Sequence, residues 1–199
     1  MLSSKNANLS LKISDRTSIV TKRVFGFAGW SGSGKTTLIE QVIAHLAVDG
    51  VRVALIKHAH HSFDIDHVGK DSHRHREAGA TEVMISSGKR WAIMHELRGA
   101  PELSLAEALD RLSPCDLVLI EGYKREPLPK LEVWRSAVGK ALLFPEDEHI
   151  IALATDDAIP TEATTALAAL AAREPNFVRV GLADVVAIAE LAISRAATL

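Results

Sequence analysis

The sequence predicts an α/β fold in which helices cover both faces of a mainly parallel β-sheet, with an extra antiparallel β segment. Three observations support this fold. Apolar runs typical of strands alternate with helical patterns from residue 23 onward, which is the arrangement of parallel sheets. A glycine-rich loop stands between the first strand and the first helix. The chain has 199 residues, enough for one domain over 23–199 with a substantial core.

The glycine-rich loop is the most informative feature. Residues 29–36 match the phosphate-binding pattern G-x-x-x-x-G-K-[ST], and an apolar strand precedes them as the pattern requires. We expect Lys35 to supply positive charge for the outer phosphates during catalysis, and the Thr36 hydroxyl to contact magnesium. The sequence thus predicts a P-loop NTPase, whose loop residues bind the nucleotide: Gly29, Trp30, Ser31, Gly32, Ser33, Gly34, Lys35, Thr36 and Thr37.

The other elements follow from periodicity and end signals. Branched aliphatic or alternating runs predict strands at 23–28, 51–56, 81–86, 90–95, 116–120, 131–134 and 149–154. Helical spacing predicts helices at 37–48, 71–78, 103–112, 161–173 and 182–197. Asp71 or Ser72 is expected to cap the second helix, and Ser104 with Glu107 to form a capping box on the third. Segment 81–97 then forms the antiparallel excursion.

Polar residues follow four predicted strands, at the edge where open α/β sheets bind ligands. These strand ends are the P-loop, Lys57-His58, Glu121-Gly122 and 155–157. Glu121 stands where a carboxylate can bind magnesium or polarise the attacking water, and is predicted to be catalytic. Asp116 begins the same strand and is expected to be structural.

A histidine-rich segment follows the second predicted strand. Six of the nine histidines lie between residues 58 and 75, together with Asp64 and Asp66. One interpretation is a switch-like loop in which Asp64 contacts magnesium near the γ-phosphate. A zinc site and a solvated polar loop are the alternatives.

Three further features bear on the ligand. Arg74 and Arg76 can either bind an anionic group or form ion pairs on an exposed helix face. Trp30 and Trp91 are expected to pack rather than to stack on a ligand. No Asn-Lys-x-Asp guanine motif is present, but Asp156 after the strand at 149–154 can accept hydrogen bonds from guanine.

Bulk properties limit the functional classes. A net charge of −2 does not favour nucleic acid or a membrane surface as partner, and no apolar stretch has the length of a membrane span. The single Cys115 fits a reducing compartment, and we expect a cytoplasmic protein. Residues 1–22 are polar and predict a disordered tail.

Taken in order, the motifs resemble the MobB family of molybdopterin-guanine dinucleotide biosynthesis adapter proteins. The resemblance covers roughly 23–157 and rests on the P-loop with Thr37, on 55–58, on His60, His61, Asp64 and Asp66, on 69–72, on 77–80 and on 119–124.

The resemblance implies a GTP-binding adapter for molybdenum cofactor maturation, with weak magnesium-dependent GTPase activity. It further implies a homodimer in which β-structure is exchanged or joined between subunits, and we place this contact at 81–97. The implied partner is the MobA-type guanylyltransferase, which joins GMP from GTP to molybdopterin, and molybdopterin itself is a candidate ligand.

Two other functions remain alternatives on the residues alone. A P-loop kinase for a small substrate needs an acceptor pocket and an arginine-bearing lid. The chain offers Arg74, Arg76 and Arg90 but no clear lid. A metal-delivery NTPase would use the histidine-rich loop.

Overall fold

The protein is built on one large, mainly parallel β-sheet. The computed structural model describes residues 22–59 and 63–199. Its strands are β1 (Arg23–Ala28), β2 (Val53–Lys57), β3 (Glu82–Ser86), β4 (Trp91–His95), β5 (Leu117–Glu121), β6 (Lys130–Val133), β7 (Ile150–Ala154), β8 (Val178–Val180) and β9 (Ala197–Thr198). Its helices are α1 (Lys35–Val48), α2 (Asp71–Glu77), α3 (Leu105–Asp110), α4 (Thr161–Arg173) and α5 (Val185–Arg195), with a 3-10 turn at Ser136–Val138.

Strand order places β1 at the centre. The seven-stranded sheet runs β2-β5-β1-β6-β7-β8, and β9 pairs with the start of β1. All neighbours are parallel except β1 and β9. Strands β3 and β4 form a separate antiparallel pair. The predicted parallel sheet with an antiparallel excursion is confirmed.

Both faces of the sheet are covered, as predicted. On one face, α1 and α5 pack over alternate residues of the central strands, including Phe25, Leu119 and Val133. On the other, α3 covers one part of the sheet and α4 another. Alternate residues therefore point to opposite cores, which is why β1 and β5 read as continuous apolar runs.

Several boundaries differ from those predicted. Helix α1 begins at Lys35, because the P-loop glycine Gly34 is itself the N-cap. The residue that caps α2 is Lys70, not Asp71 or Ser72. Helix α5 ends at Arg195, so the helix predicted to reach 197 is wrong there, and Ala197 belongs to β9. The capping box of Ser104 and Glu107 on α3 is confirmed.

The start of the described chain is held by a buried lysine. The tail predicted at 1–22 lies outside the described residues except for Lys22. That residue is 7% exposed, and its Nζ donates to the carbonyls of Leu109 and Leu112 near the end of α3. Lys22 therefore belongs to the fold and not to a tail. Within the ranges described, no helix is both long and apolar enough to cross a membrane.

Candidate nucleotide-binding site

The site lies at the carboxyl ends of three adjacent strands. In register, Lys57 of β2 stands beside Glu121 of β5, and Glu121 beside Phe27 of β1. The His58 amide continues this pairing by donating to the Glu121 carbonyl at 2.8 Å. Two of the polar strand ends named by the sequence thus converge on the P-loop that follows β1, as expected for a parallel sheet.

The P-loop backbone needs glycine at two points. Gly29 has φ 139°, and a Cβ there would lie 2.4 Å from the Val133 carbonyl oxygen. Gly34 has φ 94° and ψ 10° and begins α1. Residues with a Cβ rarely adopt such backbone angles. Substitution of Gly29 would therefore displace the loop from β6, and substitution of Gly34 would displace it from α1. This path leads to the first amides of α1, the part of a helix that binds anions.

Lys35 bends back over the loop. Its Nζ donates to the Trp30 carbonyl at 2.8 Å, which holds the ammonium against the P-loop backbone. Burial lowers the pKa of Lys35; Glu121 acts in the opposite direction, and Lys124 and Lys57 add to the lowering. A phosphate group would remove this repulsion among cations, because it would add negative charge between them.

Glu121 links the P-loop to β2. It is 7% exposed, and its Oε1 accepts from the Thr36 hydroxyl at 3.3 Å. Its Oε2 lies 3.3 Å from Lys57 Nζ. Two of the three predicted magnesium contacts, Thr36 and Glu121, therefore stand within hydrogen-bonding distance of each other. A hydroxyl and a carboxylate are oxygen ligands of the kind magnesium prefers, so these residues fit the ion.

These residues line a cavity of about 620 Å³, which we call the phosphate cavity. Among the described residues, three lysines (Lys35, Lys57 and Lys124) and one carboxylate, that of Glu121, border it. Such an excess of positive charge favours an anionic ligand. Every predicted P-loop residue borders the cavity except Ser33, whose buried hydroxyl has no hydrogen-bond partner among the described residues.

Trp30 combines packing with exposure to the cavity. Its indole Nε1 donates to the Ala141 carbonyl at 2.7 Å, and Lys124 Nζ lies 4.5 Å from the ring centroid. The loop that carries Lys124 is held by the buried Lys130, whose Nζ donates to the carbonyls of Lys124 and Glu126 at 2.9 and 3.0 Å. Trp30 thus packs as predicted while its ring also borders the ligand space. Trp91, also expected to pack, is 63% exposed.

Asp156 borders a second, smaller cavity that we call the side pocket. This cavity of about 230 Å³ shares Gly34 and Thr37 with the phosphate cavity, and Arg135, Asp156 and Leu182 form much of its remaining wall. The Oδ1 atom of Asp156 accepts from the Leu182 amide at 2.9 Å. The fourth strand end therefore meets the P-loop at the start of α1, on a separate side from the phosphate cavity.

Asp64 lies in an ion-pair cluster centred on Arg76. The guanidinium donates to both oxygens of Asp64 at 2.9 Å, to Asp66 at 3.4 Å and to Glu96 at 2.7 Å. Arg76 therefore forms ion pairs, but its side chain is only 12% exposed and its partners lie outside α2, so the exposed helix face expected for it is wrong. Backbone hydrogen bonding from the Asp66 amide, followed by Arg76, lowers the pKa of Asp64.

The described part of the histidine-rich segment shows no metal site. Asp64 is absent from the residues that border the phosphate cavity, so its contact with magnesium stays a prediction. Within 22–59 and 63–199, no cluster of three His, Cys, Asp or Glu side chains has the arrangement of a metal site. His60 and His61 lie outside the described residues.

Asp116 has the structural role expected for it. Its Oδ2 accepts from the Arg52 amide at 2.8 Å, and its Oδ1 from the Arg52 guanidinium at 2.7 Å. Hydrogen bonds from the Arg52 side chain and then its amide lower the pKa of Asp116 to about 2.

The sequence prediction missed Arg135. Its Nε donates to the Ser33 carbonyl at 3.2 Å, so it touches the P-loop directly. Arg135 follows β6 with only Trp134 between, and the strand-end rule that selected Glu121 and Asp156 would have selected it too. The signal was therefore present but unused.

Comparison with known proteins agrees with this geometry. Residues 24–156 match the family model described as MobB, molybdopterin guanine dinucleotide synthesis protein B. A molybdopterin-guanine dinucleotide biosynthesis adapter protein from Haemophilus influenzae is 46% identical over 135 residues, which are 67% of this chain and 74% of that protein. One of the same name from Escherichia coli is 42% identical over 139 residues, 67% of this chain and 78% of that protein.

Solved structures show the same architecture. The chain resembles the crystal structure of a molybdopterin-guanine biosynthesis protein B with a TM-score of 0.62 and 25% identity, covering 86% of this chain and 98% of that one. These likenesses support the adapter interpretation. They give no support to the kinase or metal-delivery alternatives.

Proposed function

The chain belongs to the MobB family of molybdopterin-guanine dinucleotide biosynthesis adapter proteins, and on that premise we propose that it binds GTP with magnesium in molybdenum cofactor biosynthesis. The observation that carries the nucleotide proposal is the phosphate cavity. It joins the amino end of α1 to three lysines around one carboxylate. This combination is suited to a polyphosphate, because backbone amides and lysine charges bind the same anion.

The guanine part of the proposal rests on Asp156. One of its oxygens is used by the Leu182 amide, and its other oxygen accepts no hydrogen bond from the described residues. A carboxylate oxygen can accept from the ring N–H and amino group of guanine, whereas adenine has no ring N–H at the matching position. The side pocket adjoins the phosphate cavity through Gly34 and Thr37, as a continuous nucleotide would require.

Slow hydrolysis is assigned to the Thr36 and Glu121 pair. Magnesium, when bound, neutralises charge on the outer phosphates. Thr36 and Glu121 would hold the ion, and Glu121 would orient the attacking water. Lys35 would release the Trp30 carbonyl and turn its ammonium to the phosphates. No further acid or base of the described residues borders the cavity apart from His58 and the lysines, which is consistent with weak turnover.

A homodimer is proposed through the hairpin of β3 and β4. Met84, Trp91 and Ile93 share one face in the strand register and are 61, 63 and 44% exposed. A two-stranded hairpin is marginally stable alone, and an apolar patch of this kind marks an interface. Strand β2 is an edge of the large sheet, and we expect it to receive the hairpin of a second copy.

The proposed partner is the guanylyltransferase that joins GMP to molybdopterin, and molybdopterin is a candidate second ligand. The support is the adapter name of the relatives. A nucleotide-loaded adapter beside that enzyme could present or retain GTP where it is consumed.

Calorimetric titration with GTP and ATP in magnesium buffer tests the nucleotide proposal. We expect GTP to bind more tightly than ATP. Lys35→Ala should weaken binding by about 30- to 150-fold, since a charge-assisted hydrogen bond contributes on the order of 2–3 kcal/mol. Lys89→Ala removes the same charge at an exposed turn outside the cavity and serves as the matched control. Equal affinity for both nucleotides, or unchanged binding by Lys35→Ala, would overturn the proposal.

A further inference from the structure

The side pocket is bordered by Arg135, which has no role in the phosphate and magnesium contacts proposed above. This arginine is absent from the residues that border the phosphate cavity, where the three lysines lie. Its Nε donates to the Ser33 carbonyl at 3.2 Å. A Cβ placed on Gly34 would lie 3.3 Å from the same nitrogen, so the guanidinium lies directly against the P-loop backbone.

This contact fixes the Nε end of the guanidinium and leaves its other N–H groups available to a ligand. Only Nε is used by a hydrogen bond within the described chain. Asp157 is the nearby acid, but its Oδ2 accepts from the Ser136 amide at 2.7 Å, and no ion pair joins it to Arg135 within the described residues. Arg135 is therefore held in place with no ion pair within 4.0 Å among the described residues, although it interacts electrostatically with Asp157 over a longer distance.

Other walls of the side pocket are chemically different. Asp156 offers one carboxylate oxygen beyond the one that accepts from Leu182. Leu182, which is 8% exposed, and Ala183 border the pocket as well, together with Gln41 from α1. A cation, an acceptor and apolar surface around about 230 Å³ suit a flat heterocycle with donor groups on one edge.

We propose that Arg135 is a nucleoside-recognition residue, whose planar guanidinium packs on the face of the purine base while Asp156 accepts from the base edge. This inference rests on the proposed nucleotide site and adds to it the residue that holds the base. A guanidinium is planar and weakly hydrated, so it stacks on rings in a way that an ammonium does not. Its position in the side pocket assigns it to the base and not to the outer phosphates.

The contact divides the work of recognition between two residues. Stacking is sequence-tolerant because every base has a π-face, so Arg135 would raise affinity for purine nucleotides in general. Discrimination between guanine and adenine would come from Asp156. The two contributions are therefore separable by choice of ligand.

The test compares a nucleotide with the same phosphate chain lacking a nucleoside. Wild type, Arg135→Gln and Arg135→Lys are titrated with magnesium and a non-hydrolysable GTP analogue, the matching ATP analogue, or inorganic tripolyphosphate. We expect both substitutions to weaken both nucleotides by about 3- to 30-fold, the range for a cation–π contact, and to leave tripolyphosphate binding within about twofold. Arg173→Gln removes an exposed guanidinium elsewhere on the surface and is the control.

Other outcomes contradict the inference in distinct ways. Equal weakening of nucleotide and tripolyphosphate would assign Arg135 to the support of the P-loop through Ser33. Full affinity in Arg135→Lys would assign a charge interaction in place of stacking. Wild-type protein that binds tripolyphosphate but shows no preference for GTP over ATP would overturn the guanine proposal, while a nucleotide-specific loss in Arg135→Gln would still support the stacking contact.

Discussion

The buried Glu132 makes stability depend on pH in the direction opposite to that of most carboxylates. Glu132 is fully buried in β6, where its oxygens accept from the Leu143 and Phe144 amides at 2.7 and 2.9 Å. Burial raises its pKa to about 7 against those two hydrogen bonds, which lower it. The folded state thus favours the protonated form over a range in which the unfolded chain, with a pKa of 4.5, is already ionised.

The size of the effect follows from these two values. A group with a raised folded pKa contributes stability that is fully present below pH 4.5 and is lost as the pH rises through about 7. At about 1.4 kcal/mol for each pH unit between the two values, the loss is about 3 kcal/mol. Glu132→Gln cannot ionise, so the wild type should lose about 3 kcal/mol of unfolding free energy relative to this variant between about pH 4 and pH 8.

Urea unfolding of both proteins at stepped pH measures that difference. Contributions from other titrating groups cancel when the variant is subtracted, because they are shared. Glu146→Gln, close to Leu143 and Phe144 in the chain, changes an exposed carboxylate and should follow the wild type at every pH. A constant difference between wild type and Glu132→Gln across the range would show that the two amide hydrogen bonds keep this carboxylate ionised in the fold, and the reasoning from burial would be refuted.

Two further predictions concern turnover and assembly. Glu121→Gln should slow GTP hydrolysis by about 100-fold, the lower end of the range for a positioned acid or base, while changing GTP affinity less. Phosphate release measures hydrolysis and calorimetric titration measures affinity; equal losses in both would assign Glu121 to binding alone. Ile93→Asp should convert a dimer to a monomer in light scattering, because it places a charge in the proposed apolar interface. Val48→Asp is the control, since Val48 is apolar, 86% exposed and outside the hairpin. A monomeric wild-type protein would contradict the proposed dimer.

Local signals in the sequence were sufficient for the elements that form the phosphate cavity. The P-loop pattern, the apolar run before it and the helical spacing after it located β1 and α1 to within two residues. The capping box at Ser104 was equally readable, since both partners lie within four residues. Glu121 was found because an acid after a buried strand has a predictable position in a parallel sheet.

Features that depend on the order of strands were beyond a local reading. Strands β8 and β9 have three and two residues, too short for periodicity to register. The side pocket exists because β6, β7 and β8 are neighbours, which brings Arg135, Asp156 and Leu182 together. The ion pairs of Arg76 likewise join α2 to the end of β4, a contact that no spacing rule predicts.

The position of β1 in the sheet has a consequence for the order in which the protein can fold. Its partners β5, β6 and β9 all come much later in the chain. During synthesis, β1 therefore remains unpaired until these strands have been made. Pairings of high contact order form slowly, and exposed apolar strands invite aggregation meanwhile. Because β1 depends on these later strands, we expect nucleotide to stabilise the completed sheet by mass action and not to direct the first steps of folding.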